Sequence, residues 1–206
     1  MIVTEADKAK VEDAIAKAER KTSGEIVAVI AAASGSYFYV PFLWASLIAL
    51  VLPWPLIHWT WLPVQDIFLL QLAVFAGLAA ILHYRPLRFA LVPRSLKREN
   101  AHRRAVEQFL SQNLHTMPGH TGVLLFVSVA ERYVEVLADT ALHGKVAEKE
   151  WRGIVKQLTD DISEGEAGKA LSHAIGKIGA HLAAHFPAEK EEHHPLPNHL
   201  ILLNAV

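Results

Sequence analysis

The chain has no cysteine among its 206 residues, which excludes a disulfide, a thiol nucleophile and a thiolate-bound metal. That fits a reducing compartment. It has no lysine or arginine anywhere in residues 22–84, a stretch that is mostly apolar. No glycine-rich phosphate loop, GxSxG elbow or dinucleotide fingerprint occurs, so the common signatures of nucleotide and acyl-transfer enzymes are missing. The first 21 residues are charged and alanine-rich, the opposite of a short basic start followed by an apolar run, so no cleavable signal peptide is expected. The formal net charge is −1, which gives no general reason to expect nucleic acid as a partner, because backbone binding needs a basic surface.

Cations return abruptly after the gap. Seven basic residues (Arg85, Arg88, Arg94, Lys97, Arg98, Arg103 and Arg104) fall within residues 85–104 against a single acid, Glu99. A bilayer sorts charge in this way, since a charged side chain at its centre costs about 2.5–3.5 kcal/mol. Residues 38–84 therefore read as a transmembrane hairpin with spans over 38–57 (FYVPFLWASLIALVLPWPLI) and 67–84 (IFLLQLAVFAGLAAILHY). Both are close to the ~20 apolar residues that cross ~30 Å of hydrocarbon. Pro53 and Pro55 fall near the end of the first span, where a missing backbone donor matters least. Trp54, Trp59 and Trp61 surround the turn and Tyr84 closes the second span, at the level where amphipathic rings settle among headgroups. The other reading is a pair of core helices buried in a soluble protein. The loop over 58–66 has no Lys or Arg, whereas Lys17, Arg20 and Lys21 precede the hairpin and the Arg85 block follows it. The positive-inside rule then places both flanks, and both termini, on the cytoplasmic side of an inner (plasma) membrane crossed more than once. Arg85, Arg88, Arg94, Lys97 and Arg98 are assigned to lipid headgroups and topology.

The flanks carry the elements of a folded domain. Residues 4–21 form an amphipathic helix, with Thr4 as N-cap, Asp7 three positions on, and Val11, Ala14, Ile15 and Ala18 as its apolar stripe. Ser23 and Gly24 break it, and residues 25–32 (EIVAVIAA) read as a strand. One helix and one strand cannot close a core, so residues 1–36 must join 85–190 in one cytoplasmic domain into which the hairpin, residues 37–84, is inserted. Beyond the hairpin a helix is expected over 94–114, with Ala101, Ala105, Val106, Phe109 and Leu110 on its apolar face. Two antiparallel strands follow in TGVLLFVSVAERYVEVLAD (121–139), turning at Ala130, Glu131 and Arg132. Helices over 145–163 and 167–186 come next, then a tail over 191–206 whose NHLILL segment (198–203) is either a last short strand or a packed end. The sum is an α/β fold with three or four strands and helices on both faces.

The run TGVLLFVSVAERYVEVLAD, with AVEQFL and LHTMPGHTG before it and a helix containing Trp151 after it, resembles the TPM domain family. AERKTSGEIVAVI resembles that family's first helix and strand, and NHLILL the end of a membrane-bound bacterial branch. The resemblance implies an αβα sandwich with a small mixed sheet, interrupted here by the two-helix hairpin. It also implies several roles: assembly or repair of membrane complexes, modulation of a membrane receptor, calcium binding and acid phosphatase activity.

Candidate chemistry centres on acids. Alternation along 133–139 puts Tyr133, Glu135, Leu137 and Asp139 on one face, and Asp139 ends the strand, where α/β sheets commonly collect ligands. Asp139 and Glu135 are thus the candidate acidic site, with Asp139 the candidate ligand for a divalent cation such as calcium. Such an ion takes roughly six to eight oxygen ligands; Asp160 and Asp161 would have to approach from a helix end. The plainer alternative has Asp139 capping the next turn and Glu135 facing solvent. His181 and His185 share a helix face and His193, His194 and His199 follow, but the pair lacks the acid of HExxH and reads as surface histidines. His83 is expected at the membrane interface, and Ser128 is expected to pack within its strand. Three functions stay open: an interaction module that assembles or maintains a membrane complex with another membrane protein, a weak metal-dependent phosphatase, and an ion- or ligand-sensing regulator.

Overall fold

A computed structural model describes residues 4–142, 144–188 and 200–204. The chain forms two compact units, Met1–Ser34 with Arg98–Val206, and Gly35–Lys97.

The first unit is built on a four-stranded sheet in the order β3-β2-β1-β4. Strand β1 (Glu25–Ala31) lies parallel to both β2 (Gly122–Ser128) and β4 (Leu200–Leu203), and β3 (Tyr133–Ala138) runs antiparallel to β2. All seven residues of β1 and of β2 are buried, as strands covered on both faces should be. Alternation divides them between two layers. Ile26, Ala28, Ile30, Val123, Leu125 and Val127 face a core completed by α1 (Glu5–Glu19), α7 (Glu148–Ser163) and α8 (Ala167–His185). Val27, Val29, Leu124 and Phe126 face the opposite way, toward Ala105 and Phe109 of α6 (Arg94–Ser111). The fold is an αβα sandwich with a mixed sheet, and the NHLILL segment supplies β4; Asn198 and His199 lie outside the described residues.

Local chemistry sets the element ends. Thr4 caps α1 through a reciprocal pair with Asp7, the capping box expected from the spacing. Helix α6 stops at Ser111, three residues short of the expected end, because Asn113 turns left-handed (φ 56°) and Leu114 is buried in a following 3-10 turn. Helix α7 starts three residues later than expected, since Val146 packs into the core and Ala147 is extended. Helices α1 and α8 pack so closely that a Cβ at Gly179 would stand 2.5 Å from that of Ala18.

The second unit holds α2 (Tyr39–Val51), α3 (Pro53–Trp59), α4 (Val64–Leu82) and α5 (Arg85–Leu91). Residues Tyr39–Trp59 continue helically through Leu52 (φ −55°, ψ −41°), so Pro53 and Pro55 mark the joint between α2 and α3 rather than the end of the span. That stretch of 21 residues and the 19 of α4 are long and apolar enough to cross a membrane, with mean hydropathies of 2.0 and 1.9. Only 22% and 6% of their apolar windows are buried, which is not how core helices of a soluble protein sit. Where α2 meets α4, the buried residues of α2 include Ala45 and Ala49, small enough for backbones to approach closely. Phe42, Leu47, Leu50, Phe68, Leu69 and Leu72 stay exposed.

Candidate functional site

The antiparallel return of β3 decides where its acids lie. Asp139 follows β3 and its N–H donates to the Gly122 carbonyl at the start of β2. It therefore sits at the amino ends of the parallel strands. Ligand crevices of α/β sheets form at carboxyl ends, so the rule that singled out Asp139 applies to the other edge of this sheet. Its carboxylate accepts from the Thr140 N–H at 2.6 Å and contacts His120 Nδ1 at 3.1 Å. Its carboxylate is thus held by the next residue's main chain and by the His120 ring.

Glu135 stands four residues away on the same strand, about 13 Å at strand rise. Its partner is His102 of α6, with Nδ1 at 2.9 Å from one carboxylate oxygen and 3.1 Å from the other. Burial first, then the nearby Glu135 carboxylate, pushes the Tyr133 phenol up to about 12. Tyr133 is accordingly a neutral donor at physiological pH. Asp139 and Glu135 have separate partners and do not converge. Asp160 and Asp161 follow Thr159, which lines a cleft with Tyr133, so they belong to the edge remote from Asp139. Among the described residues no group of three or more His, Asp or Glu side chains is placed to hold a metal ion.

The histidines are dispersed as well. His181 lies 3.7 Å from Glu150 and tilts against the Trp151 ring, while His185 is exposed at the end of α8. His193, His194 and His199 lie outside the described residues. In the second unit His83 stacks on Phe38 at 5.6 Å.

Sequence reasoning missed a buried network at the carboxyl edge. Glu131 is buried in the β2–β3 turn and accepts from the Ser34 N–H with both oxygens, each at 3.1 Å. The Ser128 hydroxyl donates to it at 2.5 Å. With that proton committed, the Ser34 hydroxyl, 2.7 Å away, donates to Ser128. Ser128 is thus hydrogen-bonded as well as packed. It is fully buried, with its hydroxyl proton committed to Glu131. The Ser-x-x-Glu spacing was a visible signal; the Ser34 contact, 97 residues away, was not.

A second buried acid, Glu19, ends α1. Its Oε1 accepts from the Ile26 N–H at 3.0 Å while Oε2 is buried without a hydrogen bond. Burial, reinforced by the charge of Glu25, pushes this carboxyl up to about 8.

The basic residues are not equivalent. Arg85, Arg94 and Arg98 are exposed and Lys97 is half-buried. Arg88 is buried instead, its guanidinium 4.2 Å from the Phe38 ring centre and 5.6 Å from that of Phe89. It is held as a cation over aromatic faces, so a headgroup has less access to it than to its exposed neighbours.

Comparison with known proteins bears on this architecture directly. The TPM domain model matches residues 85–181. The chain carries a TPM domain. The matched stretch takes in α6, β2, β3, α7 and most of α8, and the sandwich outside it is completed by α1, β1 and β4. The TPM fold here is similar to the NMR structure of BA42 protein from the psychrophilic bacterium Bizionia argentinensis. The two share 19% identity over 97% of this chain and 94% of that one, with a TM-score of 0.59, a likeness of fold. No curated protein matches the chain.

Proposed function

We propose that this is an integral membrane protein whose TPM domain serves as a non-catalytic interaction module, helping to assemble or maintain a membrane complex. One observation carries the reading. The apolar helices are inserted between β1 and β2, two strands paired in parallel over seven residues of each. Ser34 and Arg98 belong to one folded unit, so a chain that leaves it for the bilayer must come back to the same side. Two spans satisfy this and one cannot. With lysine and arginine absent from the loop over residues 58–66 and abundant after it, that side is the cytoplasm and the bilayer is the inner (plasma) membrane, with both termini inside. Exposed Arg85, Arg94 and Arg98 lie where anionic headgroups favour them, which accounts for the basic block without nucleic acid.

The non-catalytic part of the reading is supported by pairing. Asp139, Glu135 and Glu131 each have their own partners, and the Glu131 carboxylate beside the buried serine is already engaged by the Ser34 N–H. The partner is expected to be another membrane protein. Crosslinking in native membranes, followed by identification of the neighbours, tests this; a reproducible membrane-protein neighbour supports it, and a chain that crosslinks to none contradicts it. Hydrolysis of a generic phosphate ester, with and without calcium, tests the phosphatase alternative. Turnover abolished by Asp139→Asn would replace the present reading.

A further inference from the structure

A cleft opens at the carboxyl edge of β1 and β2, in two connected parts that share Arg132, Tyr133, Val134 and Thr159. The inner chamber, about 610 Å³, falls within the ~300–1,000 Å³ of small-ligand sites. Ile30, Val127, Val129, Ile162, Ala167 and Leu171 line it, so its wall is largely hydrocarbon and favours a hydrocarbon guest. The outer part, about 550 Å³, is lined by Arg98, His102 and Arg132, with Glu99. His102 is already paired with Glu135. Among the described residues neither guanidinium has an ion pair or a side-chain hydrogen bond, and Glu99 is exposed to solvent. The mouth thus carries two arginines without ion pairs among the described residues, with Glu99 in solvent and the Glu135 carboxylate engaged by His102.

Arg132 occupies an unexpected position. Its N–H donates to the Val129 carbonyl at 3.2 Å, closing the β2–β3 turn, and its φ is 52°. Glycine or asparagine is least strained in that left-handed conformation. An arginine stands there instead, at the neck between chamber and mouth.

We propose that this cleft binds a small amphipathic anion, its carboxylate or phosphate head held by Arg98 and Arg132 and its medium-length hydrocarbon chain in the chamber. Arg98 is shared with the headgroup assignment above, whereas Arg132 belongs to this cleft alone. The two ends of the cleft make complementary demands: the chamber excludes a bare hydrophilic anion, and the mouth rewards a charge that a neutral alcohol lacks.

Calorimetric titration of the full-length chain in zwitterionic nanodiscs, with empty nanodiscs subtracted, tests this using octanoate and octyl phosphate. Octanol and inorganic phosphate are the controls. Saturable binding of one or both anions is expected, at least tenfold tighter than either control and weakened by salt. The better of the two heads distinguishes an acyl carboxylate from a phosphorylated ligand. Arg132→Gly relieves the left-handed strain, so it should leave the melting temperature unchanged or raised while weakening binding at least tenfold. Thr159→Trp, at an exposed position on the neck, should abolish binding. Equal binding of octanol or of inorganic phosphate, wild-type affinity in either variant, or no saturable heat above empty nanodiscs would overturn the proposal.

Discussion

The main-chain N–H of Ser34 donates to both carboxylate oxygens of Glu131 at 3.1 Å. Ser34 is the last residue of its unit before the chain departs for residues 35–97, so this contact fixes the exit point to the turn between β2 and β3. The network contains an acceptor with two donors, and the donors are committed.

Removing that acceptor leaves the Ser34 N–H and the Ser128 hydroxyl without it. The Ser128 proton can turn to the Ser34 hydroxyl at 2.7 Å, which leaves the Ser34 N–H as the unsatisfied group at ~1–3 kcal/mol. Glu131→Ala should therefore lower stability by about 1–3 kcal/mol, read as a shift in the urea midpoint of the purified chain. Glu131→Gln keeps one acceptor oxygen and should lose about half as much.

The contact between α1 and α8 sets a second expectation. A methyl at position 179 would stand 2.5 Å from the Ala18 Cβ, a separation that must be relieved by moving one helix. Overpacking of this kind costs ~1–3 kcal/mol. Gly179→Ala should therefore destabilise the fold by about that amount even though alanine is the better helix former. A thermal melt of the variant reads this, and an unchanged melting temperature would mean that the helices are less tightly apposed.

The sandwich was largely legible because its strands announce themselves. EIVAVIA and GVLLFVS are continuous apolar runs, as strands covered on both faces must be, and Thr4 with Asp7 marks the first helix by spacing alone. The site was less legible for two physical reasons. Ion pairs between elements depend on register: nothing in the sequence puts His102 opposite Glu135, 33 residues away. The antiparallel return of β3 was legible, but the parallel pairing of β1 with β2, which defines the carboxyl edge, was not. Asp139 closes an antiparallel strand, so it arrives at the amino edge, while Arg132 and Tyr133 border the carboxyl one. Arg88 illustrates a third limit, since seven cations in one stretch read alike until the helix of Arg85–Leu91 lays one of them over Phe38.

Glu19 predicts a pH dependence. Its folded-state value of about 8 lies above the ordinary 4.5, so the folded chain keeps a proton that the unfolded chain releases. The stabilisation from this group is complete below pH 4.5, falls as pH rises, and is gone above about 8. The expected loss is at most about 5 kcal/mol. Glu19→Gln keeps the oxygen that accepts from Ile26 and removes the titration, so its stability should change less between pH 5 and 8.5, and the gain over wild type should be largest at the alkaline end. A variant whose pH profile parallels the wild type would show that Glu19 does not titrate in this range.

The absence of cysteine makes the central claim directly measurable. Single cysteines introduced at Lys21, Trp61 and Arg103 can be labelled in intact cells and in inverted vesicles with a maleimide that does not cross membranes. Lys21→Cys and Arg103→Cys should react only in inverted vesicles, and Trp61→Cys only in intact cells. If positions 21 and 103 label from opposite sides, or if all three label in the soluble fraction of a lysate, the two-span anchor within one sandwich is contradicted.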